Sequence, residues 1–281
     1  MSRTWRFLAG AAFGLGAGVG FGLAYGYATW QPRRLDYLYH GRCLLLGHRG
    51  AAAEAPANTV AAFRRAMLAA ADGVELDVHL TRDGQVVVIH DETVTSVTGA
   101  PGRVRDMTLA EIQALDAGSY FAPGFAGERI PTLAQALEAV GPNAVVNIEF
   151  KGTSAAPDGL EREVVRIVRA CDMADRVIVS SFNPLRLIRL RALDPRLPRG
   201  MLYSRDAPLF VRRLWFLPLV HPDALHPHFS LVDRAYMKRA RRWGVRVNVW
   251  TVDDPAVAEH LVHLGVDGII TNDPAGLRGI V

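Results

Sequence analysis

The feature that most constrains this chain is a regular alternation of short apolar runs with helical patterns between residues 43 and 271. Runs of strand length recur at 43–47, 73–79, 144–150, 176–181, 200–203, 223–226, 245–250 and 267–271. Helical periodicity occupies 58–71, 132–140, 158–171, 184–193, 206–217, 230–243 and 255–264. Strands separated by helices pair in parallel, and eight such units in roughly 240 residues predict an α/β fold, the closed TIM (β/α)8 barrel. Asn58 is expected to cap the first helix, with Val60, Phe63, Met67 and Ala71 on one face. The rhythm breaks once. Asp83-Gly84 turns the chain into 85–90, and residues 91–130, punctuated by Gly and Pro, read as a small insertion after the second strand.

Residues 1–34 stand apart from this pattern. Arg3 and Arg6 precede an uncharged run from Phe7 to Trp30, which as a helix would be roughly 36 Å long, enough to cross the hydrocarbon core of a bilayer. The sequence therefore predicts an N-terminal transmembrane helix as membrane anchor over 1–34, followed by the barrel over 35–281. Gly10, Gly14, Gly18, Gly22 and Gly26 recur every fourth residue and would give this helix a glycine face suited to self-association. The rival reading is a signal peptide cleaved near Gly26-Tyr27-Ala28, giving a secreted or periplasmic protein. A second apolar-basic stretch, Phe210 to Leu217 with Arg212 and Arg213, reads either as an inward-packing barrel helix or as a segment lying in a lipid interface.

Composition narrows the function. Half the residues are hydrophobic and the net charge is only +4, which excludes a disordered chain. The basic residues are spread along the sequence, so no nucleic-acid partner is expected despite a pI near 9.3. Cys43 and Cys171 cannot make a disulfide framework or a cysteine-only zinc site, and read as buried thiols.

In a parallel barrel, chemistry sits at the carboxyl ends of the strands. The first strand ends in His48-Arg49, the second alternates Glu75, Asp77 and His79, and the third alternates Asn147, Glu149 and Lys151. Three carboxylates on adjacent inward faces repel one another unless a cation stands among them. Glu75, Asp77 and Glu149 offer hard oxygen ligands for one divalent cation, Mg2+ or Ca2+; the alternative is a cluster neutralised by Arg49 and Lys151. His48 and His90 are the acid–base candidates, and Arg49 and Lys151 supply fixed positive charge for a phosphate. His79 fits a supporting role as well as a substrate contact. One of only two lysines in the chain, Lys151 marks a place for a compact ammonium.

Taken in order, His48-Arg49-Gly50, Pro56-x-Asn58-Thr59, Glu75-Leu76-Asp77-Val78, His90-Asp91, Asn147-Ile148-Glu149-x-Lys151, Ser180-Ser181-Phe182, Trp250-Thr251-Val252 and Gly265 to Thr271 resemble the glycerophosphodiester phosphodiesterase family over residues 43–275. The resemblance implies a metal held by Glu75, Asp77 and Glu149, catalysis by His48 and His90, phosphate binding by Arg49 and Lys151, and Trp250 lining the substrate pocket. It implies hydrolysis of a glycerophosphodiester to glycerol phosphate and an alcohol, or of a lysophospholipid to lysophosphatidic acid. Two alternatives stand beside it: a membrane-tethered phosphate-ester binding protein without turnover, and a phospholipase C-like enzyme that releases a cyclic phosphate. The sequence departs from the family pattern at Ala57, where Glu is usual, and at Thr95-Ser96, where an Asp-Arg pair is frequent.

Overall fold

The computed structural model describes residues 25–281. Most of the expected membrane helix, with Gly10, Gly14, Gly18 and Gly22, lies outside the described residues. Among the described residues no helix is long and apolar enough to cross a membrane. Gly26, the last of the glycine series, packs against its own barrel: a Cβ there would lie 2.4 Å from the Pro218 carbonyl oxygen.

The strands are β1 Leu44–His48, β2 Gly73–Leu80, β3 Val86–Val88, β4 Val145–Phe150, β5 Val177–Ser181, β6 Arg199–Tyr203, β7 Ala224–Pro227, β8 Arg246–Val249 and β9 Gly268–Thr271. All but β3 run parallel in the order β1-β9-β8-β7-β6-β5-β4-β2, and pairing of β1 with β2 closes the barrel. β3 is antiparallel on the far end of β2, where Val78 faces Val88. Strand pleating explains how one sequence serves two environments. In β2, Val74, Leu76 and Val78 join the outer cluster with Phe63, Ala66 and Leu133, while Glu75 and Asp77 alternate with them toward the lumen. Register aligns His48 with Glu75, Glu75 with Asn147, Asp77 with Glu149, and Glu149 with Ser180.

Several local expectations are corrected. The helix Val60–Leu68 is capped by Thr59, whose hydroxyl accepts the Ala62 N–H at 3.2 Å. Asn58 instead adopts φ 62° and spends its amide on Asp77. Ala62, Phe63 and Ala66 form the buried face. The helix expected over 206–217 is two single turns, Leu209–Arg212 and Leu217–Val220, because Leu214 between them takes φ 57°. Val211, Leu214, Leu217 and Val220 pack inward, and Trp215 is left 58% exposed. Cys43 is half-buried and Cys171, at the cap of Leu160–Ala170 beyond its buried face, is exposed.

Between β3 and the helix Leu133–Val140, the chain makes an excursion with its own small core of Val87, Ile89, Val94, Val104, Ile112, Ala117 and Ile130. At the opposite end, the turn Asp36–Tyr39 plugs the barrel floor. Leu35, Leu38 and Tyr39 are fully buried against Leu44, Leu46, Val145, Ile178 and Ile270. The floor is closed and the carboxyl end is the open mouth.

Candidate active site

The mouth holds a cavity of about 210 Å³ lined by His48, Arg49, Glu75, His90, Glu149 and Lys151, with Phe182 and Trp250 on its apolar side. Asp77 lies beneath it, 1% exposed. Glu75, Asp77 and Glu149 each present an oxygen, and these oxygens lie within 4.8 Å of one another. Lys151 Nζ sits 2.6 Å from Glu149 Oε1 and 2.8 Å from Asp77 Oδ1, and Arg49 Nε is 3.2 Å from Asp77 Oδ2. The acids thus form the salt-bridged cluster weighed from sequence, with their oxygens close enough together to hold a cation as well.

Three carboxylates against two fixed cations leave one negative charge in excess in a buried site. The strain appears at Glu75 and Glu149. Burial, with Asp77 and Glu149 nearby, raises the Glu75 carboxyl well above the usual carboxylate range. Burial also raises Glu149, to about 7, against the pull of Lys151. Burial acts the same way on Asp77, but Lys151 and Arg49 outweigh it and hold that carboxyl at about 2. Buried, hard-oxygen donors short of positive charge fit a Mg2+- or Ca2+-sized divalent cation, so the residues present suit a resident metal.

Arg49 reaches this cluster because its backbone is left-handed, φ 53°. That conformation aims its N–H at Glu75 Oε2, 3.1 Å away, while the guanidinium turns to Asp77. Asn58, also left-handed, donates from Nδ2 to Asp77 Oδ2 at 2.7 Å and accepts the Asp77 N–H on Oδ1 at 3.3 Å. Two sparsely populated backbone conformations at one site are a common mark of function.

Both imidazoles are oriented through Nδ1. His48 Nδ1 is 2.7 Å from Asn272 Oδ1, and Asn272 donates in turn to Asp253 at 2.7 Å. An amide oxygen can only accept, so Nδ1 carries the proton and Nε2, 3.9 Å from Glu75 Oε2, is the free lone pair. His90 Nδ1 is 2.7 Å from Asp91 Oδ1, and Ser96 donates to the other Asp91 oxygen at 2.6 Å. Burial, reinforced by Arg49, pushes His48 down to about 4. Burial and Lys151 also lower His90, while Asp91 works in the opposite direction. His79 Nε2 lies 3.1 Å from the His90 carbonyl oxygen. Trp250 Nε1 donates to the His226 carbonyl at 2.8 Å, and the indole stands edge-on to Phe182 with centroids 5.4 Å apart.

Asn58, Asp91, Ser96, Asn272 and Asp253 were not singled out as site residues from sequence. Asp91 adjoins a candidate histidine, and Asn272 closes the last strand; those positions were the available signals. Asp253 gave none.

A closed parallel barrel with converging acids and imidazoles at its mouth is the layout of a barrel enzyme. The profile of the glycerophosphoryl diester phosphodiesterase family matches residues 48–276. A glycerophosphodiester phosphodiesterase of Caldanaerobacter subterraneus subsp. tengcongensis is 41% identical over 242 residues, 85% of this chain and 98% of that protein. One from Bacillus subtilis is 30% identical over 254 residues, 83% of this chain and 84% of its own length. A phosphodiesterase of Oleispira antarctica, solved with its product sn-glycerol-3-phosphate, superposes with a TM-score of 0.76 at 29% identity, over 86% of this chain and 98% of that one. The chain belongs to the glycerophosphodiester phosphodiesterase family and is an enzyme of that class.

Proposed function

We propose that the chain hydrolyses glycerophosphodiesters to glycerol phosphate and an alcohol, with a divalent cation held by Glu75, Asp77 and Glu149. The observation that carries this reading is the pair of imidazoles, each fixed through Nδ1, beside the buried acidic cluster. A cation bound there supplies Lewis-acid polarisation of a nonbridging phosphate oxygen. Arg49 and Lys151 bind and orient the phosphate from the two sides of the cluster. Trp250 and Phe182 shield the cavity on its apolar side.

His48 is flanked by a neutral amide and a guanidinium, so its Nε2 starts unprotonated and accepts the nucleophile's proton. His90 is oriented by the Asp91 carboxylate on Nδ1, which supports the imidazolium against the lowering by burial and Lys151, and it is assigned as the donor of a proton from Nε2 to the departing alkoxide. The part of the uncharged run that precedes the barrel-bound segment, residues 7–24, is read as a single-pass membrane anchor.

The test is hydrolysis of glycerophosphocholine against a p-nitrophenyl phosphodiester, with and without chelator. Either alanine variant, His48→Ala or His90→Ala, should lose roughly 100-fold or more on the choline ester. On the nitrophenyl ester, whose leaving group needs no acid, His90→Ala should recover most of its rate and His48→Ala should not. Equal losses on both esters would refute the assignment of roles, and chelator-insensitive turnover would refute the metal.

A further inference from the structure

The chain crosses the barrel floor before it enters β1, and it does so without slack. Trp30 donates from Nε1 to the Pro222 carbonyl at 3.0 Å and packs on Trp243 with centroids 6.1 Å apart. The Arg33 N–H bonds Asp223 Oδ1 at 2.9 Å, and Leu35, Leu38 and Tyr39 fill the floor. Pro222 and Asp223 precede β7, so every one of these contacts lies at the amino ends of the strands. The described chain thus begins at Tyr25 on the face opposite the catalytic mouth, and the residues before it in sequence, 7–24, carry no charge.

That face carries exposed apolar side chains at its rim. Tyr25, Tyr27 and Tyr37 are 62%, 49% and 42% exposed. Leu68, Leu193 and Leu219, each at the carboxyl end of a barrel helix, are 80%, 45% and 41% exposed. They precede different strands of the barrel and so are spread around its amino end instead of gathered in one patch. Exposed Arg34, Arg196 and Arg242 stand at the same end, together with exposed Asp36, Asp172 and Asp175. Exposed tyrosines, leucines and arginines at the end where an uncharged run long enough to enter hydrocarbon arrives have the chemistry of a lipid interface.

We propose that the barrel floor rests on a lipid bilayer and the catalytic mouth opens away from it, into water. The proposal rests on the anchor reading given above. Because the segment 25–39 is bound to the floor throughout, the barrel cannot swing its mouth to the membrane that holds it. The mouth therefore takes its diester from the aqueous side.

Cys171 lies exposed at the same floor, and Leu185 at the mouth end of its helix, which gives two reporters. The full chain with Cys43→Ser, labelled at Cys171 with an environment-sensitive fluorophore, is bound to phosphatidylcholine–phosphatidylglycerol vesicles containing a quencher lipid. The second probe carries Leu185→Cys with both native cysteines replaced by Ser. The floor probe should lose roughly half its emission or more and the mouth probe almost none. Quenching at the mouth alone reverses the orientation and overturns the proposal. Quenching at neither, with the protein vesicle-bound, overturns it in favour of a floor covered by another copy or held off the lipid. Failure to bind vesicles removes the anchor and the proposal together. Glycerophosphocholine hydrolysis, read on the same samples, reports separately on the catalytic assignment.

Discussion

Asn58 shows how much a single residue at this site depends on its backbone. A left-handed φ lets one amide bind both the carboxylate and the N–H of Asp77, fixing an acidic group that two cations also claim. Groups that orient metal ligands typically contribute 10–100-fold to affinity or activity. Asn58→Ala should therefore weaken divalent-cation binding, read by calorimetry, and slow turnover by roughly 10–100-fold while leaving the circular dichroism spectrum intact. Unchanged cation affinity would show that Arg49 and Lys151 suffice to hold Asp77. The clustered carboxylates were legible from sequence because alternation along a strand sorts side chains by face, and the histidines because they end or follow strands. The role of Asn58 was not: at a loop–helix junction, a polar residue reads as a cap, and only the turn of the backbone shows that Thr59 does that work.

At the scale of elements, the helices Leu160–Ala170 and Pro184–Leu193 brace the loop that follows Lys151. Arg186 and Glu161, each with a side chain only 3% exposed, pair at 3.0 Å, and Arg186 also binds Asp158 at 2.7 Å. The guanidinium lies close under Gly152, where a Cβ would meet it at 3.0 Å. Breaking a buried pair from one side leaves the other charge uncompensated, at about 3–5 kcal/mol. Arg189, 2.9 Å from Glu161, keeps part of the compensation, so Arg186→Met should cost about 3 kcal/mol in urea unfolding. A loss below about 1 kcal/mol would mean that water or Arg189 replaces it fully. Neither this pair nor the broken helix at Leu209–Val220 was visible in sequence. Periodicity sees faces, and it does not see which charges the packing of two helices will trap.

For the whole molecule, the barrel lumen carries an acid-labile group. His226 is fully buried, its Nε2 accepting from Asn248 Nδ2 at 3.0 Å, and Tyr39 of the floor plug bonds the same amide. Burial pushes this imidazole down to about 3. An unfolded histidine titrates near 6.5, so below that pH the unfolded chain gains a proton that the folded chain refuses. Stability is complete above about pH 6.5 and falls as pH drops toward 3, by roughly 1.4 kcal/mol per unit at most. His48, pushed to about 4, adds to the same trend. His226→Gln should flatten the pH dependence of urea unfolding between pH 6.5 and 4.5; an unaltered slope would place the acid sensitivity elsewhere.

By itself the sequence determined the parallel barrel, the strand positions and the identity of the acids and imidazoles, because each is written in local period and residue type. Tertiary structure alone decided that two fixed cations share the acidic cluster, that Nδ1 of His48 is held from the loop after the last strand, and that the chain enters at the floor. Those facts depend on which strand ends meet when the barrel closes, and residues as far apart as His48 and Asn272 become neighbours only then.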